Sequence, residues 1–207
     1  MHITNSYKAI IFDLGKVIFD LSFDRTFQYW ANISGQNINM IKRKFSFDST
    51  FDKFERGEIS PEHFRHIISQ KLEITITDEQ FDTGWCDLYL NAYSGIDSLL
   101  TSLKKDYKIG ALTNTNVIHK KVWELKYADT LQHFERIFSS SDIRARKPEK
   151  EAYQIVLDHF KVEPSQMLFL DDNSENIAGA KNLDINTILV TSQKQMFNDI
   201  QKLGLLN

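Results

Sequence analysis

The stretch Ala9–Gly15, AIIFDLG, decides the fold. From Lys8 to Asp13 it predicts a strand of continuous apolar character, the kind found where helices cover both faces of a parallel sheet. Its place is the sheet centre, and it ends in a carboxylate.

Working outward, the C-terminal half alternates strand and helix. Strands are expected at Lys108–Thr113, Arg136–Ser139, Gln166–Asp171 and Thr187–Val190. Between them fall helices at Asn116–Tyr127, Pro148–Phe160 and Ser174–Leu183, and a last one at Gln193–Leu203 ends at Gly204. Pro148 suits a first helical turn, Ser174 a cap and Gly204 a terminator. Such alternation predicts an α/β fold with a Rossmann-like parallel sheet. Active sites in such sheets form beyond the carboxyl ends of the strands, where Asp13, Thr113 and Asp171–Asp172 all fall.

Between Phe19 and about Tyr93 the pattern is of helices only. Ser22–Ser34 runs to Gly35, Asn39–Phe45 and Asp48–Arg56 follow with Gly57 as a stop, and Ser60–Pro61 opens a helix through Leu72. Thr77-x-x-Gln80 forms a capping box for a helix through Leu90. Apolar residues recur three and four apart (Phe23, Phe27 and Trp30; Phe47, Phe51 and Phe54; Phe81, Trp85 and Leu88), which reads as the core of a small bundle. A helical cap over residues 18–93 is therefore expected within a core made of 1–17 and 94–207. Ser94 is the expected cap of a helix over Gly95–Lys105.

The 207 residues suit one sizeable domain with an insertion, and 42% hydrophobic with 26% charged residues is ordinary globular composition. With 25 basic and 28 acidic residues intermixed, the net charge of −3 argues against nucleic acid or an anionic membrane as partner. Lys42-Arg43-Lys44 reads as a solvated helix face. The single cysteine, Cys86, allows no intrachain disulfide and fits a reducing compartment. No apolar run approaches the roughly 20 residues of a membrane span, and KAIIF is too short for a signal segment. Cytoplasm is the expected location, and the chain is expected to be a monomer or homodimer.

The strand ends bring together a carboxylate nucleophile, a hydroxyl, a lone cation (Lys147 in RKPEKEAY, Arg146–Tyr153) and a paired acidic site, the set that phosphoryl transfer through an aspartyl-phosphate needs. FDLG, FERGEIS, LTNTN, RKPE and FLDDNSENIAGA, in this order, resemble the haloacid dehalogenase superfamily in its helical-cap form, and within it the bacterial sugar 1-phosphate phosphatase branch. The resemblance spans essentially the whole chain. It implies a Mg²⁺-dependent phosphatase acting on a small phosphorylated metabolite. Asp13 would be the nucleophile, and Asp13, the main-chain carbonyl of Gly15, Asp172 and Asp171 (direct or through water) would hold Mg²⁺. Thr113 and the Asn114 backbone amide would hold phosphoryl oxygens, and Lys147 would neutralise charge. Thr113 and Asn114 also read as a plain helix cap, and Asp171–Asp172 as an acidic turn.

One residue departs from the pattern. The family usually keeps a second carboxylate two residues after the nucleophile as acid and base, and here stands Gly15. General acid–base catalysis contributes about 10²–10⁴-fold, and its loss is least harmful when the leaving group departs easily. An anomeric hydroxyl does so, which fits a sugar 1-phosphate such as glucose 1-phosphate and disfavours a mutase.

Several residues stay open. Asp20 is a candidate base for water, or a polar residue turning the chain into the cap. His119 could reach a sugar hydroxyl. His63 and His66 lack a second ligand pair, Cys86 reads as buried, Arg144 and Arg146 read as surface, and Lys16 has no account. Two rival functions remain, a phospho-ligand binding or regulatory protein in which Gly15 marks lost catalysis, and a metal-independent 2-haloacid dehalogenase. The second leaves the paired Asp unexplained.

Overall fold

A computed structural model describes residues 7–206. Its strands are β1 (Ala9–Phe12), β2 (Phe19–Leu21), β3 (Tyr89–Ala92), β4 (Lys108–Thr113), β5 (Arg136–Ser139), β6 (Met167–Asp171) and β7 (Asn186–Leu189). Five form one sheet in the order β5-β4-β1-β6-β7, every neighbouring pair parallel, so β1 is central.

Alternation along β1 sorts the two faces. Ile10 and Phe12 enter one apolar cluster with Leu100, Trp123, Met196 and Ile200. Ala9 and Ile11 enter another with Tyr153, Val156, Phe160 and Ile177. The first is covered by α6 (Ile96–Leu103), α7 (Val117–Lys126), the one-turn α8 (Ala128–Leu131) and α12 (Gln193–Lys202). The one-turn α9 (Ser140–Ile143) follows β5, and α10 (Lys150–Phe160) and α11 (Ser174–Lys181) cover the second face.

The inserted segment carries α1 (Phe23–Ser34), α2 (Ile38–Lys44), α3 (Ser49–Glu55), α4 (Pro61–Leu72) and α5 (Asp78–Cys86). They share a third apolar cluster around Trp30, Phe54, Phe64, Phe81 and Trp85, into which Ile118 of α7 reaches from the core. Trp30 and Trp85 stack with ring centres 5.7 Å apart. That contact needs Gly84, because a Cβ there would lie 2.5 Å from the Trp30 ring.

The segment is not helical throughout. Its two ends are β2 and β3, which pair antiparallel with an irregularity between Phe19 and Leu21. Accordingly α5 stops at Cys86 rather than reaching Leu90. Phe47, expected in the bundle core with Phe51 and Phe54, is 59% exposed. Two expected caps and one expected first-turn residue also move. Asn173, not Ser174, caps α11 by accepting from the Glu175 amide, Gly95 rather than Ser94 precedes α6, and Pro148 lies ahead of α10 behind a cis peptide bond from Lys147. The capping box of α5 forms between Thr77 and Gln80. No helix among the described residues is long and apolar enough to cross a membrane.

Candidate active site

Asp13 follows β1 directly, and its backbone amide donates to the Leu170 carbonyl of β6 at 2.8 Å. The next residues turn sharply. Lys16 adopts a left-handed backbone (φ 57°), and its amide donates to the Phe19 carbonyl at 2.7 Å. Gly15 lies inside this turn, where an added Cβ would sit 2.7 Å from Leu21 Cδ1.

Thr113 ends β4, Asp171 ends β6, and Lys147 sits in the loop before α10. Asp13, Gly15, Thr113, Asn114, Lys147 and Asp172 all line one cavity of about 510 Å³. Asp171 stands just behind it, fully buried.

Lys147 is the pivot. Its ammonium, 1% exposed, donates to Asp13 Oδ1 at 2.8 Å and to Asp171 Oδ2 at 2.6 Å. Asn114 holds the Lys147 backbone from both sides, accepting from its amide and donating to its carbonyl, each at 2.9 Å. Asp171 is fixed in turn by Asn176, whose Nδ2 donates to both carboxylate oxygens at 3.1 and 3.0 Å, and by the Asn173 amide at 2.8 Å.

Asp13, Asp171 and Asp172 each offer an oxygen within 4.8 Å of the others, the only cluster of three or more such ligands among the described residues. Three carboxylates share the one buried ammonium of Lys147, an excess of acid over base. Burial pushes the Asp13 carboxyl up to about 7, against the pull of Lys147 and with the push of Asp171 and Asp172. Burial alone would lower Lys147, yet Asp13 and Asp171 outweigh it and hold the ammonium above its usual range. Burial also raises Asp172, with Asp171 adding to it and Lys16 and Lys147 opposing. Lys16 thus has an account as a countercharge to Asp172 at the cavity edge. All-oxygen donors of this charge suit a hard divalent cation.

Arg146 corrects the expectation of a surface residue. Its side chain is only 20% exposed and binds the cap, with Nε on Glu55 Oε2 at 2.9 Å and Nη1 on Asp52 Oδ1 at 3.0 Å. Arg144 is exposed, as expected. Glu149 joins this contact, accepting from the Arg146 amide at 3.0 Å and from Arg56 of the cap at 2.8 Å. Asp52, Glu55 and Arg146 line the cavity with Phe23, Phe47 and Phe51.

His119 lines the cavity as well, but both ring nitrogens are engaged. Nε2 donates to the Trp85 carbonyl at 2.9 Å and Nδ1 accepts from Asn116 at 3.1 Å, the tautomer these partners require. Asp20 accepts from the Leu21 amide and the Tyr93 hydroxyl and lines a neighbouring depression instead. His63 and His66 are exposed on α4, and Cys86 is half-buried.

Beyond its geometry, the sequence matches the haloacid dehalogenase-like hydrolase family over residues 10–190. The chain belongs to that family. Among curated relatives of this haloacid dehalogenase-like protein, a D-ribitol-5-phosphate phosphatase of Bacteroides thetaiotaomicron is 24% identical over 87% of this chain and 90% of its own. A sesquiterpene phosphatase of Aspergillus oryzae is 29% identical over 85% and 86%. Among solved structures, a haloacid dehalogenase family enzyme of Bacteroides thetaiotaomicron, in complex with magnesium and inorganic phosphate, superimposes with a TM-score of 0.78 at 29% identity, over 90% of this chain and 95% of that one.

Proposed function

We propose that the protein is a Mg²⁺-dependent phosphomonoesterase that works through a phosphorylated Asp13 on a small sugar or alditol phosphate. The observation that carries this reading is Lys147 held between Asp13 and Asp171, with Asp172 beside them on the same cavity. That is a carboxylate nucleophile beside a fixed cation and an acidic cluster fit for a divalent ion. The magnesium and phosphate in the related structure and the phosphatase relatives support it.

In this mechanism Asp13 attacks phosphorus and the P–O bond to the alcohol breaks. Lys147 offsets charge on the transferring group, while the Thr113 hydroxyl and Asn114 amide orient its oxygens. Mg²⁺, held by Asp13, Asp172, the Gly15 carbonyl and Asp171, would supply Lewis-acid stabilisation of the phosphoryl oxygens. Water then hydrolyses the aspartyl-phosphate. The aromatic rings of Phe47 and Phe51 beside the charges of Asp52 and Arg146 suit a polyol, which presents C–H faces to rings and hydroxyls to charged groups. Within that class, Gly15 favours a leaving group as acidic as an anomeric hydroxyl, and glucose 1-phosphate is such a substrate.

The test is phosphate release from a panel of sugar and alditol phosphates, with Mg²⁺ and with chelator. Metal-dependent release is expected. Asp13→Ala should abolish it while leaving the fold intact, and residual activity within about tenfold of wild type would refute the nucleophile. Silence across the panel would favour a binding protein, and full activity in chelator would discard the metal.

A further inference from the structure

Gly15 removes the usual acid and base, yet the reaction moves a proton twice, onto the departing oxygen and off the attacking water. In an in-line displacement the departing oxygen lies opposite the nucleophile. Asp13 belongs to the sheet side of the cavity, so the departing oxygen faces the cap, within the part of the cavity that cap residues line.

Five carboxylates line the cavity: Asp13, Asp52, Glu55, Asp172 and Glu175. Asp13 and Asp172 are the nucleophile and part of the acidic cluster. Glu175 is exposed on the first turn of α11. Asp52 is 37% exposed and paired with Arg146. Glu55, the last residue of α3, alone comes from the cap with its side chain buried, at 7% exposure. Arg146 Nε binds Oε2, and Oε1 makes no side-chain hydrogen bond among the described residues.

We infer that Glu55 is the acid and base of this enzyme, standing in from the cap for the carboxylate absent at position 15. The inference rests on the phosphatase reading above. As Asp13 bonds to phosphorus and the ester P–O bond breaks, protonated Glu55 gives its proton to the departing oxygen, which leaves as the alcohol. The resulting carboxylate then takes a proton from water as the water oxygen bonds to phosphorus and the Asp13–phosphorus bond breaks. Phosphate leaves, and Asp13 and Glu55 return to their starting states.

Burial pushes the Glu55 carboxyl up to about 7, against Arg146 and Lys147 and with Asp52 adding to it, so both forms are available near neutrality. Arg146 is the positioning residue that fixes Oε2. A proton donor of this kind extends the substrate range beyond anomeric phosphates to esters of ordinary primary alcohols.

The experiment compares Glu55→Gln with wild type on two substrates in Mg²⁺, an alditol 5-phosphate and p-nitrophenyl phosphate, whose leaving group needs no proton. For the alditol phosphate kcat/KM should fall by about 10²-fold. For the aryl phosphate kcat/KM, which reports only the first transfer, should stay within about threefold of wild type. Steady turnover of the aryl ester should slow after a burst of nitrophenolate equal to the enzyme, with phosphorylated Asp13 accumulating by mass spectrometry. Equal losses on both substrates, or no loss on the alditol phosphate, overturn the inference. Arg56→Gln, which breaks the cap–core pair with Glu149 and leaves Glu55 in place, should keep the wild-type ratio. Should the Gln variant fail to fold, Glu55→Asp keeps the acid, withdraws it by one methylene and should still lower the alditol-to-aryl ratio. A wild-type enzyme without Mg²⁺-dependent release on either substrate fails the phosphatase reading itself, and the inference falls with it.

Discussion

His119 shows how a single side chain joins the cap to the core. Its imidazole stacks on Trp85 of α5, donates to the Trp85 carbonyl and accepts from Asn116 at the start of α7. Burial holds its pKa down to about 3, whereas an unfolded histidine titrates near 6.5. Between those values the unfolded chain binds the extra proton. The stability from this neutral imidazole is therefore complete above about pH 6.5 and is lost as pH falls towards about 3. Denaturant titrations of wild type and His119→Gln from about pH 7 to about pH 4 should show the steeper decline in wild type. Parallel curves would mean the imidazole does not stay neutral in the fold. At this scale the sequence revealed the residues that sit at strand ends, because a strand end has a local signature. It hid Arg146, whose partner Glu55 lies 91 positions earlier in the chain. It also hid the Asn114 side chain as a clamp on the Lys147 backbone, and Asn176 as the donor that fixes Asp171.

Elements with a long, uniform pattern were readable, and short ones were not. The apolar runs of β1 and β6 announced a sheet covered on both faces, and the stripes of the cap helices announced a bundle. The ribbon of β2 and β3 escaped because it is three and four residues long, FDL and YLNA, with mixed polarity and an irregular register. Helix starts slipped by a residue where two capping types adjoin, as in Asn173–Ser174. The packing of α5 on α1 depends on Gly84, where a methyl group would meet Trp30 at 2.5 Å and Tyr29 at 2.6 Å. Gly84→Ala gains helix propensity of at most about 1 kcal/mol. Overpacking against a ring costs about 1–3 kcal/mol, so a net loss of stability is expected, read by denaturant unfolding followed through tryptophan fluorescence. A stabilised variant would show that the α1–α5 contact yields easily.

Across the whole molecule, the cap helices meet the core at two places besides the β2–β3 ribbon, which packs against Tyr127. One is α3, through Arg146 on Asp52 and Glu55, and the other is α5 on α7 around His119. The carboxylates beneath the cap repel one another in the fold, and in the unfolded chain Asp13 is far from the adjacent pair Asp171 and Asp172, so a divalent cation should bind the folded state much more tightly. At a free Mg²⁺ concentration about a hundredfold above its Kd, folding gains about 2.7 kcal/mol, a rise in Tm of about 5–10 °C for a chain of this size. Thermal melts with Mg²⁺ and with chelator check this, and Asp172→Asn should shrink the difference. A melting temperature indifferent to Mg²⁺ would remove the cluster as a cation site. The turn after β1 has a further consequence, for the history of the chain. Leu21 fills the space that a side chain at position 15 would need. Only the far end of that flexible, half-buried side chain is met, so a change of rotamer at position 21 admits a side chain at position 15. The two positions are therefore coupled through one rotamer, and the glycine stays open to reversal.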